Sequence, residues 1–440
     1  MRFLKYILIL LFVAGAFVSN AQQTMYSLQQ CLQIAIKNNL TAQQDSITAQ
    51  SARISFLQSK ENLLPSVSGG ASRDLTSGRA LNPVNNTYIT QSVTSDNYNA
   101  NASITLFNGL ALQAAVKQMR LAYQSGKMAF QAAKDIVTVN VITNYLQVLD
   151  ARDMLNQDTS QLDVAKESLD RSEILEQHGD NKFASDVYDL RGSYQSAKVN
   201  LVVAQNNLDA AMLSLFQLMN VPYDKTAQLQ PLNAQDLQGD NGIDPDNVYS
   251  TAISQLAQMK AATLMRQSAE KEVKYYQGLL YPDLTLGSGI ATNYSNLNTS
   301  TYFDQFRNNY GTYVQLGISI PIFTNLYRRN NVALARLNLL NYQYIENNTK
   351  VQLKQSVEQA YYNMASAYKR YLALKEEVTA YTESFRISKI RYEAGVLNSV
   401  DYVTSKNNMD GAALALISAR YDYIIYSKIL DYYQGKIGGL

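Results

Sequence analysis

The chain is written twice, and a duplicated order of elements limits what it can fold into. Leu63-Leu64-Pro65-Ser66-Val67-Ser68-Gly69 has a second version in Leu279-Leu280-Tyr281-Pro282-Asp283-Leu284-Thr285-Leu286-Gly287. Leu106-Phe107-Asn108-Gly109 returns as Ile322-Phe323-Thr324-Asn325, and the stretch from Val141 to Tyr145 returns from Val357 to Tyr361. The offset is about 216 residues each time, too long for a solenoid unit and suited to a duplicated half. Each half predicts the same order: helix, strand, polar loop, strand, long helix, reversal, long helix.

Ahead of the first half, Arg2 and Lys5 precede an apolar run from Tyr6 to Val18 and the small residues Ser19-Asn20-Ala21. These are the flanks of a secretory signal, too short to span a bilayer as a helix. Residues 1–21 are therefore set aside as a signal peptide, with 22–220 as the first repeat. The Pro- and Gly-containing segment 221–246 is the linker or equatorial segment, and 247–440 is the second repeat. Loss of the signal takes the formal net charge from +2 to zero. That balance argues against nucleic acid, which calls for a basic surface. Cys31 is the single cysteine and has no internal disulfide partner, so it reads as a small buried apolar side chain. No later segment carries about 18 consecutive apolar residues, so no transmembrane helix is expected.

Four segments alternate with period two. In 98–106, Tyr98, Ala100, Ala102, Ile104 and Leu106 oppose Asn99, Asn101, Ser103 and Thr105. In 313–320, Val314, Leu316, Ile318 and Ile320 oppose Tyr313, Gln315, Gly317 and Ser319. Segments 284–290 and 66–72 repeat the scheme, the latter weakly. An apolar face opposite a small polar one suits an outer-membrane strand beside a wet lumen. A half-buried sheet in a soluble domain shows the same alternation. The connections, Ser77 to Asp96 and Ser295 to Asn309, are rich in Asn, Ser and Thr. At about 20 residues they exceed compact hairpin loops and match the longer external loops of barrels.

The helices are long. Leu110 to Gln177 contains no Pro and one Gly, and Leu326 to Ala394 contains neither. A continuous helix of that length would run about 100 Å. Val137, Val141, Tyr145, Val148, Arg152 and Leu155 step at nearly 3.5 residues, as do Leu353, Val357, Tyr361, Met364, Tyr368 and Tyr371, which predicts antiparallel coiled-coil packing. Gly179 and Gly395 open the two reversals, where a left-handed residue closes a helix. Four strands cannot close a barrel, and an open edge in lipid strands backbone groups at several kcal/mol each. If the strands lie in a bilayer, several copies must share one barrel.

Together these motifs resemble the TolC family of outer-membrane channel proteins over nearly all of the mature chain. The resemblance is carried by Tyr26-Ser27-Leu28-Gln29-Gln30-Cys31-Leu32-Gln33-Ile34-Ala35-Ile36-Lys37-Asn38-Asn39, by Leu64-Pro65 and by Leu106-Phe107-Asn108-Gly109. The second reversal, Arg391-Tyr392-Glu393-Ala394-Gly395-Val396-Leu397-Asn398-Ser399-Val400-Asp401-Tyr402, adds to it. It implies a mixed α and β membrane protein: a homotrimer in outer-membrane lipid with one shared twelve-stranded β-barrel and a coiled-coil tunnel in the periplasm of a Gram-negative bacterium. It implies a passive duct for a tripartite efflux pump, partnered by a periplasmic adaptor and an inner-membrane transporter. Adaptor-docking tips would hold Gly179, Ser185, Gly395, Val396, Leu397 and Ser399, with Ser399 also a candidate helix cap. A periplasmic gate would hold Asp186, Asp189 and Asp401, whose alternative role is to favour a helix start. The first tip departs from the pattern: it is one residue longer and puts Asp180-Asn181 where the second has Val396-Leu397. Asp189 is matched in the second copy by Thr404, so a second acidic ring would be incomplete.

Two other readings stay open: a one-step (type I) secretion duct for polypeptides, and a soluble periplasmic coiled-coil adaptor. No enzyme, cofactor or metal chemistry is expected. His178 is the sole histidine, and no phosphate loop, paired-Cys motif or nucleophile elbow is present.

Overall fold

The computed structural model describes residues 25–82, 86–179, 185–231 and 242–436. The signal segment 1–21, the first-tip residues 180–184 and linker residues 232–241 lie outside the described residues. The chain divides into two compact units, a helical one (1–44, 131–256 and 351–440) and one holding the main sheet (45–130 and 257–350).

In chain order the elements are β1 (Met25–Tyr26), α1 (Leu28–Asn38), α2 (Leu40–Glu61), β2 (Ser66–Thr76), β3 (Arg79–Leu81), β4 (Tyr88–Thr90) and β5 (Val93–Phe107). Then come α3 (Ala111–Gln177), α4 (Asp186–Leu218), β6 (Gln228–Leu229), α5 (Pro245–Gln255) and α6 (Ala257–Gly278). The remainder is β7 (Asp283–Ser295), α7 (Tyr302–Asn308), β8 (Gly311–Ser319), α8 (Tyr327–Glu393) and α9 (Ser399–Tyr433). The first helix of each half is interrupted by one extended residue, Asn39 at ψ 119 and Leu256 at ψ 135. Asn39 restarts the helix by accepting the Ala42 N–H at 2.9 Å. Ser27 and Gln30 form a reciprocal capping box on α1.

In the sheet unit the strands are ordered β2-β5-β7-β8, all antiparallel, with β2 and β8 at the edges. The ladders run beyond the alternating cores. β2 pairs Ser66↔Ser103 through Thr76↔Val93, and β7 pairs up to Ser95↔Ser295. The polar connections are structured as well: β3 pairs with β4, and α7 sits between β7 and β8. Gln305 of α7 holds that connection shut, its amide donating to the carbonyls of Ser295, Asn298 and Ser300 while its oxygen accepts the Ser295 N–H.

Helices of the sheet unit keep the strand order. α2 meets α3 where Phe56 stacks on Tyr123 at 6.4 Å. α3 meets α6 through the Ser125 hydroxyl to Ala261 O (2.8 Å) and the Ser268 hydroxyl to Gln118 O (3.0 Å). α6 meets α8 through Arg266 and Thr263, which both donate to Glu346, at 2.6 and 3.0 Å. The strand-to-helix junctions use paired left-handed residues, Gly109-Leu110 and Asn325-Leu326. At Gly109 a Cβ would collide with Gly278 O, so backbones fit there only without side chains.

Away from the reversals, where Leu169, Val187, Leu190, Phe385 and Tyr402 form a third, the helical unit has two apolar clusters among the described residues. One joins α1, α3 and α4 through Cys31, Val141, Tyr145, Leu146, Leu215 and Phe216. The other joins α5, α8 and α9 through Val248, Ala252, Val357, Met364, Tyr423 and Leu430. Cys31 is fully enclosed, and burial pushes its thiol up to about 11. The seam positions Val137, Val141, Tyr145 and Val148 are buried, as are Leu353, Val357 and Met364. α3 and α9 run antiparallel: Ser168 meets Tyr402, and Asp153 meets Arg420 and Tyr421.

Candidate functional site

Two regions carry candidate function, the reversals of the helical unit and the faces of the sheet. At the second reversal, Gly395 (φ 68) donates its N–H to Tyr392 O and Val396 donates to Arg391 O, both at 2.9 Å. This crossed pair closes α8 with glycine in the left-handed position. Val396 then points outward, 69% exposed, whereas Leu397 is half-buried against Leu169, Val187, Leu190, Phe385 and Tyr402. The apolar pair of the tip is thus split, one side chain out and one in.

The cap on α9 is Asn398, whose side chain accepts the Asp401 N–H at 2.8 Å. Ser399 does not cap, because it stands one residue inside the helix. It is 1% exposed and donates its hydroxyl to Asp189 Oδ2 at 2.7 Å. Ser185 makes no side-chain cap bond on α4. Gly179 is exposed at φ 74 and donates to Glu176 O at 3.1 Å.

Of the three acidic residues, Asp189 is therefore tied to the other reversal, Asp186 is buried in the first turn of α4, and Asp401 is exposed in the first turn of α9. Sequence reasoning missed the aromatic latch behind them. Tyr402 stacks on Tyr392 (4.7 Å, 20°), packs on Phe385 and shares a 2.8 Å hydrogen bond with the Ser168 hydroxyl. Burial raises the Tyr402 pKa, and its hydrogen bond to Ser168 opposes the rise. Ion pairs Arg171–Glu393 (3.1 Å) and Arg191–Glu173 (2.8 Å) flank it. It also missed a buried charged layer further along the seam, where Lys406 pairs with Asp410 at 2.5 Å beside Asp158. The signal for that layer was a Lys and an Asp four apart on α9.

On the sheet, one face carries Val67, Leu75, Ile104, Leu286, Ile290, Val314, Leu316 and Ile318. Ile104 and Leu286 in the middle strands are half-buried, and the other large side chains of this face lie open, with Val314 77% and Ile318 69% exposed. Toward the connections this face ends in aromatic groups, Tyr98 bonded to Tyr302 at 2.6 Å and Tyr294 packed on Tyr302 at 4.7 Å. Arg73 and Asp96 form a two-pronged pair there at 2.6 and 2.7 Å. The opposite face holds Ser66, Ser68, Ser72, Asn97, Asn99, Asn101, Ser103, Gly287, Gly289 and Gln315. Among the described residues no helix is long and apolar enough to cross a membrane, and no group of three His, Cys, Asp or Glu side chains is placed to hold a metal.

The model of the outer membrane efflux protein family matches residues 31–221 and 248–435. The chain belongs to that family. Its members and relatives are channel and export proteins. The chain is 25% identical over 306 residues to Outer membrane protein TolC of Escherichia coli strain K12, covering 68% of the chain and 61% of that protein. It thus spans about three fifths of the relative's length. With Toxin and drug export protein A of Aggregatibacter actinomycetemcomitans it shares 24% identity over 431 residues, 93% of the chain and 87% of the relative. Among solved structures, the Campylobacter jejuni CmeC outer membrane channel superposes with a TM-score of 0.80 at 18% identity, covering 93% of this chain and 86% of that one. VceC of Vibrio cholerae gives 0.79 at 16% identity, covering 94% and 96%. These likenesses establish the fold of this efflux family member.

Proposed function

We propose that this family member is an outer-membrane channel of a tripartite efflux pump, a passive duct that an inner-membrane transporter drives through a periplasmic adaptor. The observation that carries this is the open sheet: among the described residues, four strands with an uncovered apolar face, a polar face behind it and two unpaired edges. Lipid would cover the apolar face, and only strands from other copies would satisfy β2 and β8. Three copies would make a twelve-stranded barrel with the amide- and hydroxyl-bearing face as its lumen. The matching helix order α2-α3-α6-α8 would extend the same wall, and the two halves of the chain descend on this reading from one duplicated unit.

The tips would meet the adaptor through Gly395 and the outward Val396, with Gly179 at the other reversal. Leu397 and Ser399 would support that knob from inside, and Ser185 would lie beside it. Asp186, Asp189 and Asp401 would ring the periplasmic entrance, and convergent carboxylates favour cation entry. The Aggregatibacter relative is named for the export of toxin as well as drug, so a polypeptide secretion duct is the second reading. Purification with the native adaptor and pump separates the two, because the pump selects the cargo.

Cysteine pairs, one within Ser66–Thr76 and one within Gly311–Ser319 of the same chain, with Cys31 replaced by Ala, test the barrel. Oxidation should join β2 of one copy to β8 of the next in a ladder that stops at three. A monomer extracted without detergent, forming no such ladder, would refute the reading and favour a soluble adaptor.

A further inference from the structure

The polar face of the sheet is not a uniform wall. Tyr313 of β8 lies flat across β7 at Gly289, where an added Cβ would sit 2.6 Å from Tyr313 Cε1 and 2.6 Å from Asn101 Oδ1. The Tyr313 hydroxyl donates to Asn101 Oδ1 at 3.1 Å, and Asn101 Nδ2 donates to Asn99 Oδ1 at 3.3 Å. Gly289 thus makes room for an aromatic ring laid on the sheet, 48% exposed, with a row of amides beside it.

Four residues along β7 from Gly289, about 13 Å at strand rise, the same face opens into a cleft of about 530 Å³. Ser95, Asn97, Asn293, Ser295, Asn298 and Asn309 line it, and none of its lining residues is charged. An amide carries two donor hydrogens and an acceptor. Asn97 donates one to Asp74, Asn309 donates one to Asn293 O, and Asn298 Oδ1 takes the Ser300 N–H, which leaves their remaining groups and the Asn293 side chain to face a ligand. Asp74, on the same face, accepts the Asn97 amide at 3.2 Å, but no charged side chain lines the cleft itself, so an ion finds little there to replace its hydration. A molecule with many hydroxyls exchanges its water hydrogen bonds one for one, and an aromatic face takes up its C–H surface.

We propose that Tyr313 and the amide-lined cleft form a binding site for an uncharged polyhydroxylated ligand, a short oligosaccharide. As a statement about exported cargo this rests on the polar face lining the duct; as a statement about binding it does not. The lumen would then hold saccharides in passage and leave small ions unretained.

The test uses the purified full-length protein in detergent and a defined probe, maltohexaose, with binding followed by saturation-transfer NMR and calorimetry. Saturable binding is expected. Tyr313→Ala and Asn293→Leu should each weaken it about tenfold, while Tyr313→Phe, which keeps the ring, stays within about threefold. Unchanged melting midpoints identify variants that still fold. Absence of saturable binding to the wild type, or equal binding by Tyr313→Ala and Asn293→Leu, overturns the proposal. Potassium chloride conductance in planar bilayers is recorded separately. A channel that conducts without binding maltohexaose removes only the saccharide site. A protein that binds but never conducts removes the duct and leaves the site.

Discussion

The interior of the helical unit changes character along α3. Around Tyr145 it is sealed by Val141, Leu146, Leu149, Leu215 and Phe216, and the phenol brought inside is satisfied: the Tyr145 hydroxyl donates to Gln230 O at 2.6 Å and lies 3.2 Å from Tyr26 O. Between Asp150 and Gln161 the same helix buries charge. Asp158, Lys406 and Asp410 are enclosed together, and Asp158 Oδ1, Asp410 Oδ1 and Gln161 Nε2 have no protein partner among the described residues. The first stretch is held by apolar area, which does not titrate. The second is held by pairings whose value depends on protonation. Burial raises both Asp158 and Asp410, with Lys406 pulling the other way.

The sharpest way to break this contrast is Lys406→Met. It keeps the stem and removes the cation between them, leaving two buried carboxylates opposed. Removal of one member of a buried pair costs about 3–5 kcal/mol. The loss should shrink on moving from pH 7.5 to 5, because carboxylates whose folded pKa is raised gain stability from protonation. Lys406→Met combined with Asp410→Leu should recover most of it. Urea midpoints of the helical signal at both pH values measure the effect. An equal deficit at the two pH values would show that the layer is held by packing alone.

Leu146→Ala is the apolar counterpart. A fully buried leucine truncated in a closed cluster should cost about 3 kcal/mol, the transfer loss plus the cavity. Its deficit should be the same at pH 5 and 7.5. Tyr145→Phe is smaller, about 1–2 kcal/mol, since it leaves Gln230 O without its buried donor while keeping the ring. If Tyr145→Phe proved neutral, β1 and β6 would have to be held by their own ladder, Met25↔Gln228 and Tyr26↔Leu229, and by Arg152, which donates to Leu229 O at 3.1 Å.

The two stretches were not equally legible. Val141 and Val357, Tyr145 and Tyr361 stand out because apolar spacing near 3.5 is read directly as a buried stripe. The bounds of α3 and α8 follow from the long gaps between Pro and Gly residues. Lys406 and Asp410 carry no sign of burial in the sequence, since it is set by α3, more than two hundred residues away. The strand ends were hidden for a related reason. Arg73 and Asp96 break the apolar alternation, yet they neutralise each other across the ladder, and backbone pairing continues past them. Ser399 shows the resolution limit at the tips: a shift of one residue makes Asn398 the cap and turns the serine inward to Asp189. The interruptions at Asn39 and Leu256 come from a single backbone torsion each, which composition does not record.

Asp150 gives the smallest and most specific handle on the same contrast. It stands one residue beyond the sealed cluster's Leu149, and its Oδ1 has no protein partner among the described residues. Burial, reinforced by the charges of Asp422 and Asp153 and opposed by Arg420, pushes its pKa from 3.8 up to about 6. The folded state therefore binds this proton more tightly than the unfolded chain does. Between pH about 4 and 6 the native state holds more protons, so stability falls as pH rises through that window and stays lowered above it. Asp150→Asn keeps the shape and removes the charge. After allowance for a partly solvated site, it should raise stability at pH 7.5 by about 1 kcal/mol and do almost nothing at pH 4. The wild-type slope between those values should flatten in the variant. A variant that is no more stable at pH 7.5, with an unaltered slope, would mean that Arg420, already bonded to Asp153 at 2.6 Å, neutralises Asp150 as well. The charged stretch would then be as insensitive to protonation as the apolar one beside it.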